Sequence, residues 1–572
     1  MSGRPGGPRV SGAARATRRE RTTRVAPRRA RPPRFDAVEL SLAHGLFAAC
    51  AEEMGVTLMR TAHSPNIKER LDHSCALFDA GARLVAQAAH IPVHLGSMPR
   101  AVAAALALAP FAPGDTILLN DPFAGGTHLP DLTLVSPVFL APARGRGTPD
   151  FYVASRAHHA DVGGAAPGSL PLAREVYEEG LRIPPVRLMR AGRIVDDVLR
   201  LVLANVRTAD ERRADLAAQL GAQTTGARRL GTMAERYGGG VRGARALRVA
   251  AAELMRVTER RMRAALATLP RGRWSAEDVL DDDGRGHGPI RIAVTLTLSD
   301  GRARVDLTRS DAQTAGPVNA VAAVTRAAVA YVVRGVVGEI PVNDGMFRPI
   351  EVVTRPGTVV DPVPPAAVGA GNVETSQRIV DAVLRAFHHV LPGRIPAASS
   401  GTMNNLLIGG LDPRAVAPFA YYETLAGGHG AGPGWHGEHA MQAHMTNTRN
   451  TPVEALEHAY PLRVRETRIR RGSGGAGRWR GGDGVVRAIE LRAPARVTVI
   501  SERRVRGPYG LGGGHDGSAG ANTVSVTRNA RWVTRRMPGK FEIALAAGAV
   551  VTVASPGGGG FGRPPRRTRI RS

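Results

Sequence analysis

Residues 120–164 constrain this chain more than any other stretch. They read Asn120-Asp121-Pro122-Phe123-Ala124-Gly125-Gly126-Thr127-His128-Leu129-Pro130-Asp131, then an apolar run over residues 132–140 and a short Gly/Arg/Pro loop. A second run, Phe151-Tyr152-Val153-Ala154, leads into Ser155-Arg156-Ala157-His158-His159-Ala160-Asp161-Val162-Gly163-Gly164. The order is polar cluster, strand, turn, strand, polar cluster. Strands that follow one another this closely are usually sheet neighbours. Antiparallel pairing brings His128 and Asp131 to His158 and Asp161. Two imidazoles with one or two carboxylates suit Mn²⁺, Fe²⁺ or Zn²⁺, and three protein ligands leave a position for water or substrate. The same residue types also cap turns, and an H-x-x-D spacing does not by itself choose between the two roles.

A chain of 572 residues with 43% apolar content is long enough for two to four structural units around a real core. Aromatics are only 4%, so packing falls to Ala, Val and Leu. The net charge of +28 points first to nucleic acid. Its location argues against that: residues 1–34 hold eleven Arg and one Glu, and residues 563–572 hold five Arg. The aromatic interleaving of a single-strand binding surface is missing as well. Lys68 and Lys540 are the only lysines among 77 basic residues, a skew that reads as nucleotide-composition bias. Residues 1–34 and 566–572 are expected to be disordered tails around one unit over 35–565. Cys50 and Cys75 make no disulfide framework, which fits a reducing, cytoplasmic setting. Cys75 sits in Asp72-His73-Ser74-Cys75, as a nucleophile or as a small buried strand residue. No apolar run reaches a membrane span, and no signal peptide is legible.

The expected fold is mixed α/β. An N-terminal lobe holds a large mixed sheet with helices, and a Gly-rich, β-containing lobe follows. Val38, Leu42, Leu46, Cys50 and Met54 recur every four residues, which predicts a helix over 36–54 that Gly55 can end. Residues 75–78 and 83–86 flank Asp79-Ala80-Gly81 as a hairpin. His90 and His94 are spare candidates for a metal shell. Residues 177–185 form a loop with two adjacent acids, Glu178 and Glu179. Helices are predicted over much of 195–236, over 243–268 and over 320–337, with a hairpin at 290–308. Thr375 or Ser376 is a plausible N-cap for a helix reaching residue 390. Gly369-Ala370-Gly371 before it could admit a ligand to backbone donors or simply turn the chain. Glycine bursts near 427–432, 472–484, 507–514 and 557–560 predict β structure with tight turns. No Walker A loop, H-E-x-x-H or G-x-S-x-G motif is present. Gly432-Pro433-Gly434-Trp435-His436-Gly437 fits G-x-G-x-x-G by letter only. His436, His439 and His444 make a weaker metal candidate than the central cluster.

Several further blocks are distinctive. They are Glu69-Arg70-Leu71-Asp72-His73-Ser74-Cys75-Ala76-Leu77-Phe78-Asp79, His90-Ile91-Pro92-Val93-His94-Leu95-Gly96-Ser97-Met98, and Pro365-Ala366-Ala367-Val368-Gly369-Ala370-Gly371-Asn372. His444-Met445-Thr446-Asn447-Thr448-Arg449-Asn450-Thr451-Pro452-Val453-Glu454 and the closing Pro556-Gly557-Gly558-Gly559-Gly560-Phe561-Gly562 complete the set. With the central stretch, these resemble the hydantoinase B/oxoprolinase family over roughly residues 35–565. That family includes N-methylhydantoinase B subunits, the C-terminal half of 5-oxoprolinases and α subunits of acetone-type carboxylases. The resemblance implies a hetero-oligomer. A hydantoinase A-type partner binds ATP and phosphorylates the substrate, and this chain holds a divalent metal on His128, Asp131 and His158. It makes Asp161 an alternative ligand or a group that orients an imidazole. His159 falls where other members often carry an aromatic. The implied reaction is opening of a cyclic amide ring by metal-activated water. The alternatives are the α subunit of an ATP-dependent ketone carboxylase and an Arg-tailed nucleic-acid or scaffold protein. Asn372, Glu374 and the His429 loop are outer candidates around the substrate.

Overall fold

The computed structural model describes residues 35–88, 91–141 and 147–565. The tails at 1–34 and 566–572, expected to be disordered, lie outside those residues, as does His90.

The described residues open on a capping box. Asp36 Oδ1 accepts the Glu39 N–H at 2.8 Å, and Glu39 Oε2 accepts the Asp36 N–H at 3.0 Å, which satisfies donors that a helix start leaves free. The helix Ala37–Thr61 outlasts the expected 36–54. Gly55 does not end it because Leu58, one turn on, is fully buried, and burying a leucine outweighs the roughly 1 kcal/mol cost of a mid-helix glycine. Helices Ala209–Arg236 and Gly240–Ala267 pack on it. A Cβ at Gly226 would run into Met54 Sδ, so two of these helices meet at close range.

Under the helices lies a seven-stranded sheet. Its strands are β1 (His73–Asp79), β2 (Leu84–Gln87), β3 (Thr116–Leu119), β4 (Asp131–Val138), β5 (Phe151–His158), β6 (Val186–Arg190) and β7 (Arg193–Ile194). They run in the order β2-β1-β5-β4-β3-β6-β7, every pair antiparallel. The hairpin expected at Asp79-Ala80-Gly81 is β1–β2. The pair expected across residues 141–150 is β4–β5, with Asp131 directly opposite His158.

A second sheet holds β8 (Gly272–Leu280), β9 (Ile290–Ser299), β10 (Arg302–Asp306) and β11 (Ile350–Val353), in the order β11-β10-β9-β8. Its β10–β11 pair is parallel. Helices Ala322–Val337 and Ser376–Val390 pack on each other, and the second lies on this sheet, burying Val324, Val333, Ile379 and Phe387 with Ile292 and Leu296. Thr375 and Ser376 do not cap by side chain. A π-turn, Gly371–Thr375, runs straight into the helix. The Thr375 hydroxyl donates instead to the Val318 carbonyl, and Ser376 Oγ to the Asn372 carbonyl.

The glycine-rich lobe holds a four-stranded sheet, including β12 (Asn405–Asp412) and β13 (Ala417–Thr424), and a five-stranded sheet running from Leu462–Arg470 at one edge to Arg531–Met537 at the other. The two enclose Leu406, Tyr421, Ile489, Val497 and Val551. The glycine bursts do more than turn the chain. The Gly558 N–H donates to the Gly482 carbonyl at 2.9 Å, that of Gly559 to Ala398 at 2.8 Å, and that of Gly560 to His515 at 2.9 Å. Three successive residues thus address three different segments. A Cβ on Gly558 would overlap the His429 carbonyl oxygen, so the segments lie too close for any side chain.

A buried charge cluster ties the lobes together. Arg378 Nη1 lies 3.2 Å from Asp278 Oδ2 and 3.0 Å from Asp381 Oδ2, and Arg503 Nη2 lies 2.7 and 2.9 Å from the same two atoms. Lys540 pairs with Glu502 beside them. Burial opposes charge on Lys540, but the Glu502 carboxylate outweighs it and raises the ammonium pKa.

Candidate metal centre

The site is built where β4 begins and β5 ends. Gly125, with φ of +98°, turns the chain before the strand. Asn120 fixes the loop from beneath: its Nδ2 donates to the Leu129 carbonyl at 2.7 Å, and its Oδ1 accepts the Ile183 N–H at 2.6 Å. That places His128 one turn before Asp131, with His158 across the ladder.

Three donor atoms converge. His128 Nε2 is 3.1 Å from Asp131 Oδ1, His158 Nδ1 is 3.3 Å from the same oxygen, and the two nitrogens are 3.2 Å apart. Ligands on a tetrahedral ion with bonds of about 2.0–2.1 Å stand about 3.3 Å from one another. All three residues are buried, and Asp131 Oδ1 takes part in no hydrogen bond despite both nitrogens. A buried carboxylate oxygen without a donor is costly. A cation among these three atoms would remove that cost, so the residues fit a divalent metal.

The surrounding groups aim the donors. Asp131 Oδ2 accepts from Thr127 Oγ1 at 2.5 Å and lies 3.3 Å from His94 Nε2 and 3.5 Å from Asn372 Nδ2. The free oxygen Oδ1 is therefore turned toward the two imidazoles. His128 Nδ1 lies 3.2 Å from the Gly369 carbonyl, which makes Nδ1 the donor and leaves Nε2 with its lone pair inward. Glu179 holds that carbonyl's segment: its Oε1 accepts the N–H groups of Val368 and Gly369 at 2.9 and 2.7 Å. His158 stacks on Tyr422, ring centroids 4.9 Å apart, and Arg70 lies over the same ring at 4.4 Å.

Burial opposes ionisation of Asp131, but His128 and His94 hold its carboxyl well below the usual range. Burial also opposes a proton on His128, and Asp131 outweighs it and raises the pKa. Burial pushes His158 down to about 3, so that ring is neutral. Burial raises Asp72 to about 7. A cavity of about 20 Å³ adjoins the donors, lined in part by Asp72, His94, Asn372, Met445 and Thr446. That is room for one water-sized occupant.

Other expected residues go elsewhere. Asp161, expected as an alternative ligand or imidazole orienter, is committed to its own loop. Its Oδ1 accepts the Gly163 and Arg207 N–H groups at 2.9 and 3.1 Å, and its Oδ2 pairs with Arg207 Nη1 at 2.8 Å. His159 pairs with Gln219 at 3.0 Å, away from the cavity. His94 reaches the site, on the far oxygen of Asp131. Asn372 does too, whereas Glu374 turns to Asn405 at 2.7 Å and His429 to the Gln442 carbonyl at 3.1 Å. His436 and His439 accept backbone N–H groups of Arg480 and Asp483. Cys75 is fully buried in β1, and burial raises its thiol pKa far out of reactive range. Motif spacing does not single out Thr127, Glu179 or Tyr422. Thr127 lies within the central stretch, but the other two reach the site only through tertiary packing. No helix among the described residues is long and apolar enough to cross a membrane.

Residues 36–564 match the hydantoinase B/oxoprolinase family. The chain is 39% identical to 5-oxoprolinase 1 of Arabidopsis thaliana, covering 92% of this chain and 42% of the plant protein. It is 29% identical to the B component of a putative D-/L-hydantoinase of a Pseudomonas species, covering 93% and 91%. It thus spans about two-fifths of the 5-oxoprolinases it matches and nearly the whole of the hydantoinase component. The structure of the ATP-dependent caprolactamase of Pseudomonas jessenii superposes with a TM-score of 0.84 at 28% identity, covering 93% of each chain. Nucleotide-free acetone carboxylase gives 0.82 at 18%, covering 92% of this chain and 75% of that one, a likeness of fold.

Proposed function

We propose that this chain, which belongs to the hydantoinase B/oxoprolinase family, is the metal-holding subunit of an ATP-dependent hydrolase that opens cyclic amide rings. The observation that carries the reading is the convergence of His128 Nε2, Asp131 Oδ1 and His158 Nδ1 around a carboxylate oxygen with no hydrogen bond. A divalent cation bound there supplies Lewis-acid polarisation and activates water. The chain's own residues set up the rest. Thr127, His94 and Asn372 fix Asp131, and Gly369 fixes the His128 tautomer. Asn372 Oδ1, buried and without a partner, is an acceptor for a proton on the attacking water or on the amide nitrogen. Asp72 lines the same cavity and adds a second carboxylate to receive a proton.

An amide is a poor electrophile, so ring opening by such a site needs prior activation. A hydantoinase A-type partner that uses ATP to phosphorylate the amide oxygen supplies it, and this chain carries no Walker A loop of its own. Hydrolysis is favoured over ketone carboxylation by the closer likeness, 28% against 18%, to a lactam-acting enzyme.

Elemental analysis of the chain co-purified with an A-type partner tests the metal. About one Mn, Fe or Zn per wild-type chain, lost in His128→Ala, supports the site. No metal in the reconstituted wild type overturns it. ATP-dependent turnover of a lactam and hydantoin panel, against bicarbonate-dependent turnover of ketones, separates the two chemistries.

A further inference from the structure

The three donor side chains are not held alike. Asp131 is fixed through its outer oxygen by Thr127, His94 and Asn372. His128 is fixed through its outer nitrogen by the Gly369 carbonyl. Metal-binding histidines almost always have such a partner at the ring nitrogen that faces away from the ion. His158 has none among the described residues. Its Nδ1 faces Asp131 Oδ1, and its Nε2 is buried without a hydrogen bond. The His158 backbone N–H donates to the Asp72 carbonyl at 3.0 Å, which holds the main chain and not the ring.

What meets the ring is Tyr422, with centroids 4.9 Å apart and planes 29° from parallel. Aromatic stacking of this kind favours one relative orientation of the two planes. Tyr422 is itself pinned. Its hydroxyl donates to Asn405 Oδ1 at 2.9 Å, its carbonyl accepts from Arg70 Nη1 at 2.9 Å, and the Arg70 guanidinium lies 4.4 Å from its ring centroid. Asn405 Nδ2 is tied in turn to the Ile500 carbonyl at 2.9 Å. Tyr422 is 2% exposed, so close packing leaves its ring no room to swing aside. The two rings come from different lobes. His158 ends β5 of the seven-stranded sheet, whereas Tyr422 belongs to β13 of the glycine-rich lobe.

Resting on the reading of the donor cluster as a metal site, we infer that Tyr422 is a positioning residue: its ring aims His158 Nδ1 at the other two donors, in place of a hydrogen bond at Nε2. The second lobe thus completes a metal site whose ligands all lie in the first, and metal affinity is coupled to the seating of one lobe on the other.

Two substitutions separate the ring from the hydroxyl. Tyr422→Leu keeps an apolar side chain and removes the plane, and Tyr422→Phe keeps the plane and removes the bond to Asn405. Zn²⁺ affinity of the full chain is read by competition with a chromophoric chelator, and the ligand geometry by the visible absorption of the Co²⁺-loaded protein. Tyr422→Leu is expected to bind Zn²⁺ about tenfold or more weakly than wild type, the loss typical of groups that orient a ligand, with an altered Co²⁺ spectrum. Tyr422→Phe is expected to keep the wild-type affinity and spectrum. Should Tyr422→Leu fail to fold, Tyr422→Met, longer and unbranched, takes its place in the comparison. Wild-type affinity in the ringless variant overturns the positioning role, and so does an equal loss in Tyr422→Phe, which would trace the effect to the Asn405 bond. The two readings fail separately: a wild type that binds neither Zn²⁺ nor Co²⁺ overturns the donor cluster as a metal site, whereas a wild type and a ringless variant that bind metal equally overturn the role of Tyr422 alone.

Discussion

Two buried polar clusters in this molecule look alike in composition and behave as opposites. Around Asp278 and Asp381, three cations (Arg378, Arg503 and Lys540) meet three anions, with Glu502 the third. Around Asp131, one carboxylate meets three imidazoles, and the two nearest offer it a nitrogen without a hydrogen bond to Oδ1. The first cluster is complete in charge and acts as a clasp between the helix Ser376–Val390, β8 and the segment after residue 500. The second turns two imidazole nitrogens toward one carboxylate oxygen. Burial alone therefore does not mark a functional site. The two differ in charge: the first sets cations against carboxylates, and the second gathers imidazole nitrogens on one carboxylate oxygen.

The contrast can be broken or sharpened by experiment. His128→Ala should give the largest change, loss of bound metal and of ring opening, read by elemental analysis and a turnover assay. Arg503→Ala should do the reverse. Removing one partner from a buried ion cluster costs about 3–5 kcal/mol, read as a lower denaturant midpoint with metal per folded chain unchanged. If Arg503→Ala also lowered the metal bound per chain, the two clusters would not be independent. Glu179→Ala should be intermediate, with metal affinity about 10–100-fold weaker through the Gly369 carbonyl and largely rescued in Glu179→Gln, whose oxygen still accepts both N–H groups.

The last effect is read as a slope with pH. Burial raises Glu179 to about 8 from its ordinary 4.5. The folded chain thus holds a proton that the unfolded chain releases, so this group's contribution is full below about 4.5 and is lost as pH rises toward 8. Glu179→Gln should flatten the fall of unfolding free energy with pH by about 1.4 kcal/mol per unit within that window. Glu374, raised to about 8 by burial and then by Glu502, keeps a similar slope in the variant.

What is legible in the sequence is local. His128, Asp131 and His158 come together because consecutive antiparallel strands put residue 131 opposite residue 158, a relation fixed once the turn is placed. Asp161 escapes that logic because alternation stops at the strand end. Gly163 and Gly164, with φ of +89° and +85°, swing the loop away to Arg207. Tyr422, Glu179 and the Gly369 carbonyl are not legible, since the bonds that matter join residues as much as 241 positions apart. Periodicity locates the helix at 36–54 and stops it too soon, because Leu58 contributes through tertiary burial, which a residue spacing does not register.

The glycine segments of the second lobe have a consequence for how this protein would register in solution. Residues 556–560 fall in no regular strand or helix, yet the amides of Gly558, Gly559 and Gly560 are each held by a different neighbour. Circular dichroism would count such a stretch as coil. Hydrogen exchange would count it with the slowest amides in the chain, since a layer too tight for a methyl group has no room for water to reach its N–H groups. Slow exchange in a run that belongs to no helix or strand is the signature this layer leaves.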